Sequence, residues 1–226
     1  MEIVPPKNQS DPQSAYHHPP AKPSGSPGGP AASESPHGER LRGVISTIGL
    51  FLSAFLIAVL LNTFVIQSYQ VDGESMEPTL QNNDRLIVNK IPRTVARIDG
   101  RQYVPHRGDI IIFNQDGLPG FVGSKQLIKR VIGLPGDRVV VKSGTITIYN
   151  SAHPNGFNPD TSGDYRISRP SDIGDFDQVL DKNQLFVCGD NRPNSEDSRF
   201  FGPIMTDQVV AKLVLRILPL SNTKSF

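Results

Sequence analysis

The longest apolar stretch of the chain covers residues 43–66, which include no charged side chain. At about 1.5 Å per residue, a helix of this length reaches roughly 36 Å and exceeds a hydrocarbon core of about 30 Å. The alternative is a cleavable signal peptide, whose apolar part covers only about 7–15 residues and ends at small residues. Residues 62–67 offer no such small-residue exit. The pattern therefore favours a single transmembrane helix, which we assign to residues 43–67.

Beyond this helix, short runs rich in β-forming residues alternate with Gly, Pro, Asn and Asp clusters that are typical of turns. The runs predicted as strands are residues 85–89, 109–113, 126–132, 138–142, 145–149, 184–188 and 209–218. No convincing amphipathic helix follows the anchor. Residues 150–182 are polar and irregular, and we interpret them as an excursion from the sheet with short strands or a helical turn near residues 171–179. The pattern predicts a mainly β domain of antiparallel strands at residues 68–226.

The N-terminal part of the chain has a different composition. Residues 1–38 contain nine of the 20 prolines and three of the five histidines, with hardly any large apolar side chains. Such a segment buries too little apolar surface to offset the entropy lost on ordering. We predict that residues 1–42 form a disordered tail, in which His17, His18 and His37 are solvated rather than metal ligands.

The basic residues on either side of the apolar stretch predict its orientation. Arg40 and Arg42 precede it, and the next Lys or Arg is Arg85. Because basic residues favour the cytoplasmic side, the tail is expected inside and residues 68–226 outside the membrane.

The overall charge and the cysteine content exclude some alternatives. A formal net charge of +1 gives no support for nucleic-acid binding, which depends on a clustered basic face. Cys188 is the only cysteine and cannot form an internal disulfide. The exported domain must therefore be stabilised by its own apolar core, for which it is long enough.

Ser75 is the most informative candidate for chemistry, because Gly73 and Pro78 on either side predict a constrained turn beyond the anchor. A serine becomes a nucleophile only when a base removes its proton. The exported domain has two histidines, His106 and His153, and both are predicted in loops. A Ser-His-Asp triad is therefore the weaker hypothesis.

Lys129 is the alternative base, because it lies within an apolar predicted strand. A neutral lysine can accept a proton, and lowering its pKa from about 10.4 to about 7–8 costs roughly 4 kcal/mol, which burial can supply. With apolar neighbours on both faces, this strand is expected to be buried. The alternative is that Lys129 and Arg130 lie on an edge strand, where charged side chains discourage aggregation.

A loop at residues 189–199 follows another apolar strand and combines hydroxyl, carboxylate and guanidinium groups. It can be interpreted as a solvated turn or a calcium loop, although the glycine and glutamate spacing of an EF-hand is absent. Ser195 in this loop could instead orient a lysine amine.

Four segments, taken in order, resemble the sequence boxes of bacterial type I signal peptidases. They are residues 75–80, 107–113, 129–137 and 189–199. The similarity extends from the anchor to about Gly202 and, as a set, is highly specific. It implies a catalytic domain of antiparallel β-sheet behind an N-terminal transmembrane helix, with no metal or organic cofactor.

The resemblance also implies roles for individual residues. Ser75 would be the nucleophile and Lys129 its general base, with Ser195 holding the lysine amine. The same correspondence implies two structural ion pairs, which are Asp197 with Arg199 and Asp190 with Arg130.

The implied reaction is removal of signal peptides from exported preproteins at the outer surface of a bacterial plasma membrane. Expected partners are signal peptides, the lipid bilayer and the secretion translocon. A tail that is not Arg-rich, unlike many organelle transit peptides, favours the plasma membrane over an internal photosynthetic membrane.

Small substrate side chains are implied next to the cut, so shallow apolar pockets are expected near the catalytic residues. The pocket candidates are Val71, Met76, Leu80 and Ile128, for each of which ordinary core packing is the alternative. Gly73 departs from those relatives that carry Ser or Thr two residues before the nucleophile. Oxyanion binding would then depend mainly on the backbone N–H of Ser75, and Gly73 would let substrate backbone approach closely.

Two rival functions remain at the level of sequence. Self-cleaving repressors use a similar Ser-Lys site, but they are cytoplasmic and lack both the anchor and the loop at residues 189–199. A single-pass anchor that presents a β binding module would leave the four segments unexplained.

Overall fold

The computed structural model describes residues 36–61, 65–120, 122–171 and 175–226. The disorder predicted for the tail falls mainly on residues 1–35, which lie outside the described residues. The first helix, α1, covers Pro36–Leu60 and contains an apolar window at Gly43–Leu60 with a mean hydropathy of 2.4. Within the described part of the chain, this is the one helix long and apolar enough to cross a membrane.

The remaining elements are mostly strands. They are β1 (Ile66–Gln70), β2 (Arg85–Asn89), β3 (Ile110–Asp116), β4 (Ser124–Gly133), β5 (Arg138–Lys142), β6 (Thr145–Tyr149), β7 (Phe176–Val179), β8 (Gln184–Cys188), β9 (Ile204–Met205), β10 (Val209–Leu218) and β11 (Lys224–Ser225). The short helices are α2 (Ile91–Ile98), α3 (Pro159–Ser162) and α4 (Ser198–Phe201).

The strands form two sheets in which every pair is antiparallel. The main sheet has the order β1-β2-β10-β3-β4-β8-β9, with β11 also pairing with β10, and the smaller sheet has the order β6-β5-β7. The predicted mainly β, antiparallel fold is confirmed, and all seven predicted strands are present. The irregular stretch also contains the short strand expected near its end, as β7.

Two elements differ from the sequence prediction. Helix α2 shows that the expectation of no amphipathic helix after the anchor was wrong. Its apolar positions occupy one side of only two turns, and a pattern this short does not predict a helix from the sequence. Strand β1 begins at Ile66, inside the stretch assigned to the anchor, because Ile66 pairs with Asn89 of β2. A strand defined by a distant partner has no local signal that separates it from an apolar helix.

Alternation along β3 divides the apolar core between the two faces of the main sheet. Ile110 and Ile112 pack with residues of the loop that follows β1, whereas Ile111 and Phe113 pack on the opposite face against β8 and β10. A third apolar cluster joins β4 and β8 to the smaller sheet through Ile132 and Phe186. Burial on both faces makes β3 and β4 a rigid support for side chains that project from them.

Candidate active site

Ser75 lies in a loop of residues 71–84 that leaves β1 and returns to β2. Hydrogen bonds close the loop at its base, because the Val71 N–H donates to the Asp84 carbonyl at 2.9 Å. Met76 and Leu80 are fully buried in the core and fix the turn that carries the serine. Apolar packing therefore fixes the loop against the core, and the Ser75 side chain remains half-buried.

Gly73 has a φ of 106°, in the region that favours glycine, and its N–H donates to Asn82 Oδ1 at 3.0 Å. Space for a Cβ is open at this position, so the backbone conformation is what disfavours a larger residue. This explains in local terms why the chain has glycine two residues before Ser75.

Lys129 projects from β4, opposite Ile111 of β3, and its side chain reaches Ser75. The Nζ and Oγ atoms are 2.6 Å apart, a hydrogen-bond distance, and Lys129 is only 3% exposed. Burial lowers the pKa of Lys129 from its ordinary value to about 8, against the opposing effect of the nearby Asp197 carboxylate. A substantial fraction of the amine is therefore neutral near pH 8 and can accept a proton.

Replacement of Lys129 by methionine is expected to raise the free energy of unfolding by about 2 kcal/mol at pH 7. Lowering the pKa from 10.5 to about 8 costs about 3 kcal/mol, and loss of the bond to Ser75 offsets about 1 kcal/mol. The cost is fully present below pH 8 and disappears as the pH rises to 10.5, where the unfolded chain also loses the proton. Thermal unfolding in detergent measures this, and a stability gain that is the same at pH 7 and pH 10.5 contradicts it.

The loop at residues 189–199 is organised around the carboxylate of Asp197, which is fully buried. Asp197 accepts hydrogen bonds from the Gly189 N–H at 3.0 Å, from Ser195 Oγ at 2.7 Å and from the Arg199 guanidinium at 2.8 Å. The carboxylate is thus neutralised by Arg199 while it fixes both ends of the loop.

The contact of Ser195 differs from the one implied by the resemblance. Its hydroxyl donates to Asp197, whereas the hydrogen bond of Lys129 among the described residues goes to Ser75. The Ser195 hydroxyl donates to Asp197 because an ionised carboxylate is a stronger hydrogen-bond acceptor than the Lys129 amine, which already bonds to the Ser75 hydroxyl. In this structure Ser195 therefore contacts Asp197, whose carboxylate acts to raise the pKa of Lys129.

Arg130, the next residue along β4, points to the other face of the strand and binds Asp190. The pair is bidentate, with Nε–Oδ1 at 2.8 Å and NH2–Oδ2 at 2.6 Å. A further bond joins Arg130 to the Gly108 carbonyl at 2.8 Å, and the ring of Tyr165 lies 4.3 Å from the guanidinium. Arg130 thereby ties β4 to the loop that carries Asp197.

A second buried arginine in the same loop, Arg192, was not identified from the sequence. It is 1% exposed and pairs with Asp160 of α3 through both guanidinium nitrogens. Its Nε donates to the Gly189 carbonyl at 3.0 Å, and its own carbonyl accepts from Arg199 at 2.8 Å. The irregular stretch of residues 150–182 thus has a structural role, which no local pattern around Asp160 indicated.

A cleft of about 190 Å³ runs beside Ser75 and Lys129. Val71 and Ile128 line it, whereas Met76 and Leu80 are core residues that do not. The lining residues that the sequence did not predict are Tyr69, Gln70, Asp72, Leu86, Ile112, Lys125, Gln126 and Leu127. Except for Asp72, which follows β1, these residues belong to β1, β2, β3 and β4, so the wall of the cleft depends on strand pairing between distant segments.

The two histidines of the domain are not next to Ser75 in the described residues. His106 is largely exposed, with its Nδ1 3.7 Å from Asp109. His153 packs on Phe157, with the ring centres 4.6 Å apart. The geometry brings a lysine to the serine, and it gives no support for a Ser-His-Asp triad.

Comparison with known proteins agrees with this geometry. Residues 44–218 match the family model described as "Signal peptidase, peptidase S26". Signal peptidase IB of Staphylococcus aureus is 31% identical over 182 residues, which cover 76% of this chain and 87% of that protein. Signal peptidase I of Leptolyngbya laminosa is 34% identical over 201 residues, which cover 87% and 89% of the two chains.

Among solved structures, a signal peptidase I from Enterococcus faecalis V583 is 30% identical and covers 49% of this chain and 97% of its own, with a TM-score of 0.35. The family match and the two sequence relatives decide the assignment. The resemblance inferred from the four motifs is confirmed, and the chain belongs to peptidase S26, the signal peptidase family of serine endopeptidases that remove signal peptides from preproteins.

Proposed function

We propose that Ser75 and Lys129 form the catalytic dyad and cleave preproteins through an acyl-enzyme. The observation that carries this proposal is the 2.6 Å separation of Lys129 Nζ and Ser75 Oγ, with the amine buried in the domain. Burial keeps part of the amine neutral, and a neutral amine at this distance can take the hydroxyl proton.

The reaction then follows from the positions of these atoms. As the proton moves from Ser75 to Lys129, Oγ attacks the scissile carbonyl, and the protonated amine returns the proton to the leaving nitrogen. Water then attacks the ester as Lys129 takes its proton, and the protonated amine returns that proton to Oγ of Ser75 as the ester bond breaks. The Ser75 N–H has no acceptor among the described residues, which supports a role for it as a donor to the oxyanion.

Membrane topology and partners extend the proposal. Residues 43–67 would anchor the protein once in a bacterial plasma membrane, with the tail of residues 1–42 cytoplasmic and the catalytic domain of residues 68–226 outside. Arg40 and Arg42 support this orientation. The substrate signal peptide would approach from the bilayer, delivered by the secretion translocon.

Purified full-length protein in detergent, incubated with an excess of a preprotein, tests the proposed activity. We expect many turnovers and a product whose new N-terminus, read by mass spectrometry, follows the signal peptide. Cleavage of the enzyme itself without turnover of the preprotein supports the repressor-like alternative, and absence of any cleavage supports a binding module.

The pH dependence of kcat/KM is expected to follow the proton on Lys129. Its pKa is about 8, and only the neutral amine is a base, so activity should fall tenfold for each pH unit below that value. At pH 6 the rate should be about 100-fold below its plateau. A pH–rate profile with the preprotein substrate measures this, and a flat profile down to about pH 5 excludes Lys129 as the base.

A further inference from the structure

The loop at residues 189–199 binds the backbone of the turn that carries Ser75. The Asn191 N–H donates to the Ser75 carbonyl at 3.0 Å, and the Asn191 side-chain amide donates to the Glu74 carbonyl at 3.1 Å. Packing at Gly189 is so close that a Cβ there would collide with the Ser75 carbonyl oxygen. The position of Ser75 therefore depends on where Asn191 is held.

Residues of the irregular stretch hold both chain neighbours of Asn191. Before it, the Asp190 carbonyl accepts a hydrogen bond from the Ser168 N–H at 2.9 Å. After it, the Arg192 guanidinium pairs with both carboxylate oxygens of Asp160. The Ser168 hydroxyl also donates to Asn191 Oδ1 at 3.2 Å. A stretch that lies outside the four motifs therefore fixes the residue that binds the serine turn.

The pair of Asp160 and Arg192 is suited to fixing an orientation. Both side chains are buried, with exposed fractions of 8% for Asp160 and 1% for Arg192. The pair is bidentate, and two bonds between a guanidinium and a carboxylate restrict angle as well as distance. Asp160 is itself held, because its N–H donates to Asn158 Oδ1 at 2.8 Å and its Oδ1 accepts from the Tyr165 hydroxyl at 3.1 Å. Movement of Arg192 would therefore break several buried bonds at once.

Asp160 does not touch the groups that carry out the proposed chemistry. In the described part of the chain, its carboxylate bonds to Arg192 and Tyr165, whereas Lys129 bonds to Ser75. Strands β1 to β4 wall the cleft beside Ser75, and Asp160 is not among the residues that line it. Any effect of Asp160 on the reaction must therefore pass through the loop.

We propose that Asp160 is a positioning residue, which holds the Ser75 hydroxyl at Lys129 through Arg192 and Asn191. This role rests on the dyad proposed above and adds a residue that none of the four motifs contains. A displacement of about 1 Å in a reacting group lowers a rate by up to about 100-fold. Loss of the ion pair should therefore lower kcat and leave KM nearly unchanged, because the walls of the cleft stay in place.

Cleavage of a preprotein by the full-length protein in detergent tests this role. We expect Asp160→Ala to lower the single-turnover rate by about 30–100-fold, with a steady-state KM close to that of the natural protein. A single-turnover rate equal to that of the natural protein would overturn the proposal, as would a loss that lies entirely in KM.

A double variant separates position from stability. Asp160→Ala leaves the Arg192 guanidinium buried without a carboxylate and should unfold more easily, whereas Asp160→Leu combined with Arg192→Met leaves no unpaired charge and should recover stability. We expect the double variant to remain as slow as Asp160→Ala, because it also lacks the ion pair that fixes the loop. If the rate recovers together with stability, Asp160 has a structural role alone and the proposal is wrong.

The matched control is Asp137→Ala, which removes an ion pair with Arg107 at the turn between β4 and β5. In the described part of the chain, the Asp137 side chain bonds to Arg107, Leu134 and Asn150. None of these residues belongs to the loop at residues 189–199, so this variant should lose stability and keep its normal rate. A rate as low as that of Asp160→Ala would indicate that activity follows stability, which contradicts a positioning role.

Hydrogen exchange of the full-length protein, measured by mass spectrometry, follows the loop without catalysis. In Asp160→Ala the Asn191 N–H, which bonds to the Ser75 carbonyl, should exchange several-fold faster, while the amides of β3 exchange as in the natural protein. Unchanged protection of Asn191 would exclude the proposed role. Because no cleavage is involved, failure of the dyad, which would appear as activity of Ser75→Ala, is distinguishable from failure of this role.

Discussion

Replacement of Ser75 by alanine or of Lys129 by methionine is expected to lower kcat for preprotein cleavage by about 10³-fold or more. The first change removes the atom that attacks the carbonyl. The second removes the proposed base, which is the side-chain hydrogen-bond partner of the Ser75 hydroxyl in the described part of the chain. Single-turnover kinetics with excess enzyme measure the chemical step directly.

The matched control for the base is Lys142→Met, which changes an exposed lysine of β5 and should leave kcat unchanged. Stability separates loss of chemistry from loss of structure, since Lys129→Met is expected to unfold at a higher temperature than the natural protein. An inactive Lys129→Met variant that is also less stable would indicate a damaged fold. Residual activity within tenfold of normal would remove Lys129 from its proposed role.

Replacement of Asp190 by alanine is expected to lower the free energy of unfolding by about 3–5 kcal/mol, because it leaves the Arg130 guanidinium buried without its carboxylate. The loss should extend to activity, since Asp190 joins β4 to the loop that carries Asp197. Chemical denaturation followed by circular dichroism gives the free energy.

The control is Asp177→Ala, which removes an ion pair with Arg138 whose two side chains are about half exposed. Solvent screens exposed pairs and leaves them little effect on stability, so this variant should be nearly as stable as the natural protein. Adding Arg130→Met to Asp190→Ala should recover part of the lost stability, because no unpaired charge remains. If Asp190→Ala and Asp177→Ala lower the free energy of unfolding equally, burial of the Asp190–Arg130 pair does not increase its contribution to stability.

The chemistry of the site was accessible from the sequence because it depends on residue type and local setting. A lysine between apolar residues of a strand predicts a buried amine, and Lys129 is indeed 3% exposed with a lowered pKa. A serine between glycine and proline predicts a turn, and Ser75 lies on one. Both predictions use interactions within a few residues along the chain.

The contacts that depend on distant segments were not accessible. Whether Met76 and Leu80 line the cleft or fill the core depends on how the loop packs on β2, β3 and β10. Whether Ser195 bonds to Lys129 or to Asp197 depends on how the loop at residues 189–199 packs beside β4. The partner of Arg192 is Asp160, 32 residues away, in a stretch without a recognisable pattern.

By itself, the sequence determined the apolar N-terminal helix and the antiparallel β character, since these follow from hydrophobic periodicity and turn composition. It indicated Ser75 and Lys129 through their local setting together with the resemblance of the four motifs. Only the tertiary structure decided that residues 66–70 pair with β2 as a strand, that β1 to β4 together build the cleft, and that α2 exposes its apolar side. The physical reason is that strand pairing, cleft walls and exposure are set by segments far apart in the chain, whose packing free energy outweighs local preference.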